Sequence, residues 1–498
     1  MPKRPSSHEA DVQLTASMEE SRGIPESDTP FRLLVLGDFG GAESGPLATR
    51  KLHAVDRDVL EEVFGRLRVK ADLPLGDGQK GDLEFRDLDD FHPDHLIPRL
   101  GLFAELRETR DRLDDPRTFA EAAKAVRAWA GEAPAPKTTA VAPESQGDDI
   151  VSALLAGASR QPKPGVDAAF DAELKALVRP HLVPGEDPDL PRLRASVDGV
   201  MSGLLRAILR HPRFKALEAA WRGLELLVRR IDDESERTFL LDVSREKLVA
   251  DLTGAAKLSG TGLYRRLVTE TVETPGAEPW GAIVGLYDFG PTLADAALLS
   301  RIAKVARAAG APFLAAARDE IVCCASLAAT PDPDDWEKPE GEGAIIWDEL
   351  RALPEAAWVA LALPRLMLRL PYGTKTDPIE SFPFEELPGP PDHEAYLWGS
   401  PALASVLVLT GAFATDRWAL RPETAAEIDG LPSHLWEDRG ETHVTPPSEV
   451  VLTLRAAERL LEAGLIPILS LKGQEIVRVA RLQSIAIPLK PLAGRWRS

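Results

Sequence analysis

Asp-Phe-Gly occurs twice in this chain, at residues 38–40 and 288–290. In a protein kinase that tripeptide holds a magnesium ion. The chemistry also needs a glycine-rich loop, a strand lysine and a His-Arg-Asp loop, and none accompanies either copy. Each copy follows an apolar run, so each reads as a strand exit and turn. His92 and His95 flank Pro93 and Asp94. A zinc site asks for a third ligand and for i,i+4 spacing on a helix, so this pair reads as surface histidines at a helix start. The chain carries no G-x-S-x-G and no P-loop, and Gly260 and Gly262 lack the rest of a dinucleotide fingerprint. Acidic pairs such as Asp334 and Asp335 sit in polar, proline-rich stretches and read as solvated. These patterns name no catalytic residue, no cofactor and no metal ligand, as expected of an assembly protein rather than an enzyme.

Composition narrows the classes further. Of 498 residues, 44% are hydrophobic and 28% charged, the balance of a soluble globular protein long enough for several domains. A formal net charge of −20 repels phosphate backbones, and no basic run interleaves with aromatics, so nucleic acid is not an expected partner. The two cysteines, Cys323 and Cys324, are adjacent in an apolar run that begins at Ile321. Spaced pairs would be needed for a disulfide framework, so both read as small buried hydrophobes in a reducing compartment. Residues 1–30 are polar and lack the apolar core of a signal peptide. The longest apolar stretches are too short to span a bilayer. No direct membrane insertion is expected, and a cytoplasmic location is the default.

The elements that would position such residues follow from periodicity. FRLLVLG at Phe31–Gly37 is a continuous apolar run closed by Gly-Asp, the pattern of a strand buried on both faces. Helical spacing over 56–67 is followed by alternation over 68–75, a glycine-rich turn and a return strand over 82–86. Pro93 should open a helix reaching about Arg112, and Pro116 another ending near Trp129. Residues 131–147 are linker-like, with little apolar side chain to bury. Helical patterns follow at 168–178 and 190–210. Residues 212–231 carry the strongest periodicity in the chain, through Phe214, Leu217, Trp221, Leu224, Val228 and Ile231. A strand over 238–243 precedes a helix capped by Ser244. Residues 282–317 read as a βαβ unit, with Thr292 and Asp295 opening the helix and Gly310 closing it. Strands are expected at 358–363, 450–454 and 465–469, and helices at 401–413 and 455–463. The alternation argues for α/β, with mixed sheets and flanking helices.

Two blocks carry a family resemblance. FRLLVLGDFGG at 31–41 and DLEFRDLDDFHPDHLIPRL at 82–100 resemble the small sheath subunit of type VI secretion, the TssB/VipA family, over about residues 30–130. ILRHPRFKALEAAWRGLELLV at 208–228, LALPRLMLRLPYGTKTDPIESFPFEE at 361–386, YLWG at 396–399, the turn at 430–432 and AGLIPILSLKG at 463–473 resemble the large sheath subunit, the TssC/VipB family, over about 149–485. The resemblance implies a structural role. In that family the two subunits share one α/β core and form a protomer of a cytoplasmic helical tube. The tube surrounds an inner tube, docks on a baseplate and contracts to drive secretion. Its partners are other sheath subunits, the inner tube protein, the baseplate and a recycling AAA+ unfoldase. Residues 149–155 resemble the helix the unfoldase reads, with Ile150, Leu154 and Leu155 as its apolar stripe. By the same resemblance Phe214, Trp221 and Trp398 are core or interface anchors. Pro371, Tyr372 and Gly373 fix a turn, and Lys375 and Asp377 face a neighbour.

The expected organisation is a disordered tail over 1–29, a small-subunit domain over 30–130 and a linker over 131–147. A helical region over 148–210, a large-subunit core over 211–487 and a basic tail over 488–498 complete it. Two features depart from the family pattern: the subunits are fused, which makes their pairing intramolecular, and the resemblance stops soon after Leu482, where the family continues. The second departure leaves an alternative reading, a non-polymerising adaptor or regulator that binds sheath, baseplate or unfoldase.

Overall fold

The computed structural model describes residues 23–42, 45–74, 80–129, 189–231, 235–422 and 425–496. The linker over 131–147 and the candidate residues Ile150, Leu154 and Leu155 lie outside the described residues. The chain divides into two compact units. One comprises Met1–His92, Ile208–Pro378 and Glu385–Ser498; the other comprises Pro93–Ala207 and Ile379–Phe384.

The amino-terminal part of the chain contributes strands β1 (Phe31–Gly37), β2 (His53–Val55), β3 (Lys70–Pro74) and β4 (Lys80–Glu84). The remainder contributes β5 (Glu236–Asp242), β6 (Trp280–Phe289), β7 (Phe313–Ala317), β8 (Val359–Leu363), β9 (Leu366–Met367) and β10 (Trp398–Gly399). It then adds β11 (Ala426–Ile428), β12 (His434–Asp438), β13 (Glu441–Thr445), β14 (Ile466–Ser470) and β15 (Val477–Val479). The longer helices are α1 (Leu60–Leu67), α2 (Gly101–Asp114), α3 (Phe119–Trp129), α4 (Leu190–Leu209) and α5 (Pro212–Val228). After them come α6 (Arg245–Gly254), α7 (Leu293–Ala309), α8 (Glu342–Arg351), α9 (Ala402–Asp416) and α10 (Leu454–Glu462).

The first unit is built on a nine-stranded sheet in the order β11-β15-β14-β8-β7-β6-β1-β5-β2. Its central run from β14 to β5 is parallel throughout, and β2 and β15 pair antiparallel. Such strands are covered on both faces, which is why FRLLVLG is a continuous apolar run rather than an alternating one. Phe31, Leu33, Leu34, Val35 and Leu36 are all at most 1% exposed. β1 pairs β5 on one side, with Leu34 opposite Phe239, and β6 on the other, with Leu34 opposite Ile283. The part of the chain that resembles the small subunit therefore supplies a central strand to a sheet built otherwise mostly from the part that resembles the large one. The α/β core is joint.

Leu34 and Leu36 face the layer of α6, α7, α8 and α10. On the opposite face, α9 packs on β6, β7 and β8. There Phe31 sits 5.0 Å from the Phe413 ring and 5.5 Å from Trp418. The Phe31 ring lies over Gly281, where a Cβ would lie 2.6 Å from it, so only glycine fits. Beside α9, α5 starts at Pro212 in the first helical position and buries Trp221 completely. The indole donates to the Phe39 carbonyl at 3.1 Å and stacks on Phe64 of α1 at 3.6 Å.

The second unit holds α2, α3, most of α4 and residues 379–384. Arg110 pairs with Asp198 at 2.7 Å. Asp94 accepts from the Glu380 and Ser381 amides at 2.8 and 3.0 Å and from the Ser381 hydroxyl at 2.6 Å. Residues 30–130 are thus not a single compact unit. The chain changes unit at His92, with no shift in composition to mark it.

Three further expectations need correction. The helix from Pro93 to Arg112 is interrupted: one turn at Pro93–Leu96 gives way to a 3₁₀ turn at Ile97–Arg99, and α2 starts at Gly101. Pro98 cannot donate and disfavours helical backbone at Ile97. No strand forms at 450–454; the chain bends at Val450 and runs without regular structure to Thr453, which caps α10 by accepting from the Ala456 amide. Residues 488–496 are not a free tail. Leu492 and Trp496 are 1% and 4% exposed, the Ala493 amide donates to Ala357, and Arg495 donates to the Ala309 carbonyl.

Candidate functional site: buried charge and a crevice at the signature segments

The segment 361–386 leaves β8 and folds over α5, bringing charged side chains into the core. Arg369 is 9% exposed, yet it meets two carboxylates that are more deeply buried, Glu218 at 0% and Glu386 at 2%. Its Nε donates to Glu218 at 2.7 Å, and its two terminal nitrogens donate to Glu386 at 2.7 and 3.1 Å. Its guanidinium lies 4.2 Å over the Tyr372 ring. Arg222 closes the group, reaching Glu218 at 2.8 Å and the Tyr372 hydroxyl at 3.3 Å. The Tyr372 amide donates to Glu386 at 2.8 Å, which fixes the turn after Pro371. Two carboxylates and two guanidinium groups balance. Burial pushes the Glu218 carboxyl upward, but the Arg369 and Arg222 charges and hydrogen bonds outweigh it and hold the group below the usual glutamate range. The same two carboxylates hold the Arg369 guanidinium well above its ordinary value against burial. Burial raises the Tyr372 phenol.

A second network sits at the end of β8. Arg365 donates from its backbone amide and Nε to Glu449 at 3.1 and 2.9 Å, and from a terminal nitrogen to Glu394 at 2.7 Å. His393 Nε2 lies 2.8 Å from Glu449, and the Trp398 indole donates to the His393 carbonyl at 2.9 Å. Ligand atoms of His393, Glu394 and Glu449 converge within 4.8 Å. The Arg365 guanidinium bridges both carboxylates of that trio, so it already supplies their positive partner and the group reads as an ion network. Burial raises the Glu449 carboxyl, but the hydrogen bonds from Arg365 and His393 and the Arg365 charge push it down to about 2.

Glu449 therefore links stability to acid pH. Its folded value lies below its ordinary 4.5, so its contribution is complete above that value and disappears as pH falls toward 2. Glu449→Gln is expected to lose about 3 kcal/mol at neutral pH. Its deficit relative to wild type should close between pH 4.5 and 2. Chemical denaturation across that range measures it.

The same strand ends frame an open crevice of about 470 Å³. Ala216, Ala219 and Ala220 of α5, Leu286, Ala316 and Pro401 form its apolar walls, and Asp38, Ser244, Arg245, Glu246, Asp288 and Arg365 reach it. Both Asp-Phe-Gly aspartates, Asp38 and Asp288, thus meet at one place, the first just after β1 and the second in the last turn of the β6 ladder. The first copy is a strand exit, with Gly40 at φ 70°.

Phe214 and Trp221 are fully buried, Pro371, Tyr372 and Gly373 are buried beside the Arg369 network, and Trp398 is 7% exposed beside His393. Lys375 pairs with Glu437 at 3.3 Å within the chain, and Asp377 is exposed. His92 lies edge-on to Tyr372 with ring centres 5.0 Å apart, and His95 is exposed. Cys323 is half-buried and Cys324 buried, both as free thiols. Sequence reasoning missed Glu218, Arg369 and Glu386. One signal was available: Glu218 lies between Leu217 and Trp221 on the apolar face of α5, four residues before Arg222.

Residues 6–129 match the family described as "Type VI secretion system, VipA, VC_A0107 or Hcp2". The type VI secretion system sheath protein TssC1 of Pseudomonas aeruginosa is 32% identical over 308 residues, which cover 59% of this chain and 61% of that relative. The chain thus spans about three-fifths of the length of the curated relative it matches. Residues 192–486, more than half of the chain, match the VipB family, described as "EvpB/VC_A0108, tail sheath N-terminal domain". The chain belongs to the VipB tail-sheath family and carries a VipA-type region ahead of it in the same polypeptide.

Proposed function

We propose that this chain is a structural protomer of a type VI secretion contractile sheath, in which the small and large sheath subunits act as one polypeptide. It assembles with further copies around an inner tube, and contraction is a change between two packings of rigid protomers. The observation that carries this reading is β1, the VipA-type strand held between β5 and β6 of the VipB-type region. A protomer that transmits force needs its two parts to move as one body, and a shared central sheet provides that. The buried Arg369 network supports the same reading, since its charges are all matched internally and none is left to act on a substrate.

The role is non-enzymatic and its setting the cytoplasm. No helix among the described residues is long and apolar enough to cross a membrane. The inner tube protein, a baseplate and a recycling AAA+ unfoldase are the further partners, and Ile150, Leu154 and Leu155 are the residues the unfoldase would read. Negative-stain microscopy of the chain expressed with its inner tube protein tests the proposal. Tubes or tube-bound rings are the expected result, and monodisperse monomer under every condition contradicts it.

A further inference from the structure

The hairpin of β12 and β13 stands apart from the nine-stranded sheet and pairs with no third strand among the described residues. Strand alternation gives it two faces. Leu435 and Val444 sit opposite each other on one face, 63% and 49% exposed. On the other, His434 pairs with Thr445 and Trp436 with His443. A two-stranded hairpin is marginal in water by itself, so whatever fastens that second face decides whether it stays in place.

The fastening is a chain of three hydrogen bonds. The Trp436 indole donates to the Thr445 hydroxyl at 3.1 Å. That hydroxyl lies 2.9 Å from the Tyr396 hydroxyl, which lies 2.8 Å from Nδ1 of His434. His434 and Tyr396 are 8% and 3% exposed. An indole only donates, and each hydroxyl carries one proton. Three protons therefore fill three links when Nδ1 accepts: Trp436 to Thr445, Thr445 to Tyr396 and Tyr396 to His434. The count assigns His434 as a neutral imidazole with its proton on Nε2. An imidazolium brings a fourth proton to the same three links and leaves one hydroxyl of the chain without its acceptor, a costly state for a buried group.

Burial holds the imidazole below its ordinary 6.5, against the charges of Glu385 and Glu386 in the segment 361–386. Glu386 is committed to Arg369 and the Tyr372 amide, and Glu385 to the Thr374 amide and hydroxyl. Tyr396 faces the imidazole from the segment before β10. His443 is the other histidine on this face of the hairpin, stacked on Trp436 at 4.4 Å. A folded value below the ordinary one makes the contribution of His434 complete above 6.5 and weaker as pH falls from there.

We propose that this chain of hydrogen bonds is a proton-operated latch, in which neutral His434 holds β12 and β13 against the segment before β10 and protonation of the imidazole loosens residues 434–445. The base of the hairpin stays tied, by the Leu431 amide to the Glu475 carbonyl and by the Met367 amide to the Pro447 carbonyl, so the loosening is local. The outer face adds the exposed pair of Glu437 with Lys375 at 3.3 Å, a contact of little weight. The latch does not depend on the sheath role.

Amide hydrogen exchange of the full chain tests it, at pH 7.5 and 5.0 with rates corrected for the intrinsic effect of pH. Protection of the 434–445 amides, taken relative to those of β1, should fall about tenfold at the lower pH. Tyr396→Phe removes the hydroxyl that serves both neighbours, and its hairpin should exchange fast at both pH values. His443→Gln leaves the three links in place and should keep the wild-type response. Equal hairpin protection at both pH values in the wild type overturns the latch. So does a response that His443→Gln abolishes, or one that Tyr396→Phe leaves intact. Should Tyr396→Phe fail to fold, the wild type and His443→Gln decide the matter by themselves.

Discussion

Arg369→Ala is expected to remove about 3–5 kcal/mol of stability at neutral pH, one of the largest single-residue effects in this chain. The substitution leaves Glu218 and Glu386 facing each other at 0% and 2% exposure, with Arg222 alone to balance them. An uncompensated buried carboxylate is among the few mechanisms that reach this size. The deficit should depend on pH in a defined direction. In the wild type the Glu218 carboxyl lies below its ordinary 4.5, so its favourable contribution is complete above that value and fades as pH falls. In the variant that contribution is gone, and protonation relieves the repulsion left between the two buried carboxylates. The gap between the two proteins should therefore shrink below pH 4.5, as followed by denaturant unfolding. An apolar replacement of the whole group would behave differently: matched removal of Glu218, Arg369 and Glu386 can be nearly neutral, because burying the charges also carried a desolvation penalty. A deficit below about 1 kcal/mol for Arg369→Ala would mean that water reaches these carboxylates.

Val35→Asp should have a still larger consequence. Val35 is 0% exposed and pairs with Leu240 on one side and Val284 on the other. A carboxylate there has no partner, and burying it costs more than the few kcal/mol by which most domains are stable. The expected outcome is loss of soluble protein, or a chain without a cooperative melt, affecting the VipB-type region as much as the VipA-type region. Limited proteolysis reads this directly, since residues 208–378 should become as sensitive as residues 31–92. If the variant is cut only before residue 93, β1 is an accessory strand and the shared sheet does not hold the protomer together.

Much of this architecture was legible from the residues. β1 and the β6–α7–β7 crossover stood out because buried parallel strands are uniformly apolar, and because Thr292 and Gly310 mark the helix ends as an N-cap and a left-handed C-cap. What could not be read was which strands lie side by side. The insertion of β1 between β5 and β6 joins residues about two hundred positions apart, and no local pattern encodes it. The charged core was hidden for a related reason. Glu218 and Arg369 look solvated in a linear sequence, and only the fold of segment 361–386 over α5 makes them one another's solvent. The crevice likewise needed both Asp-Phe-Gly segments in one place; each taken alone was a turn.

The central claim is that the VipA-type and VipB-type regions form one sheet and are not two modules on a string. Cutting the chain within the linker and co-expressing residues 1–147 and 148–498 as separate polypeptides, with an affinity tag on the first only, measures it. Co-purification of the pair in a one-to-one complex with a single cooperative melt is expected, with the second fragment insoluble when made alone. A second fragment that is soluble, melts cooperatively by itself and ignores the first would contradict the account.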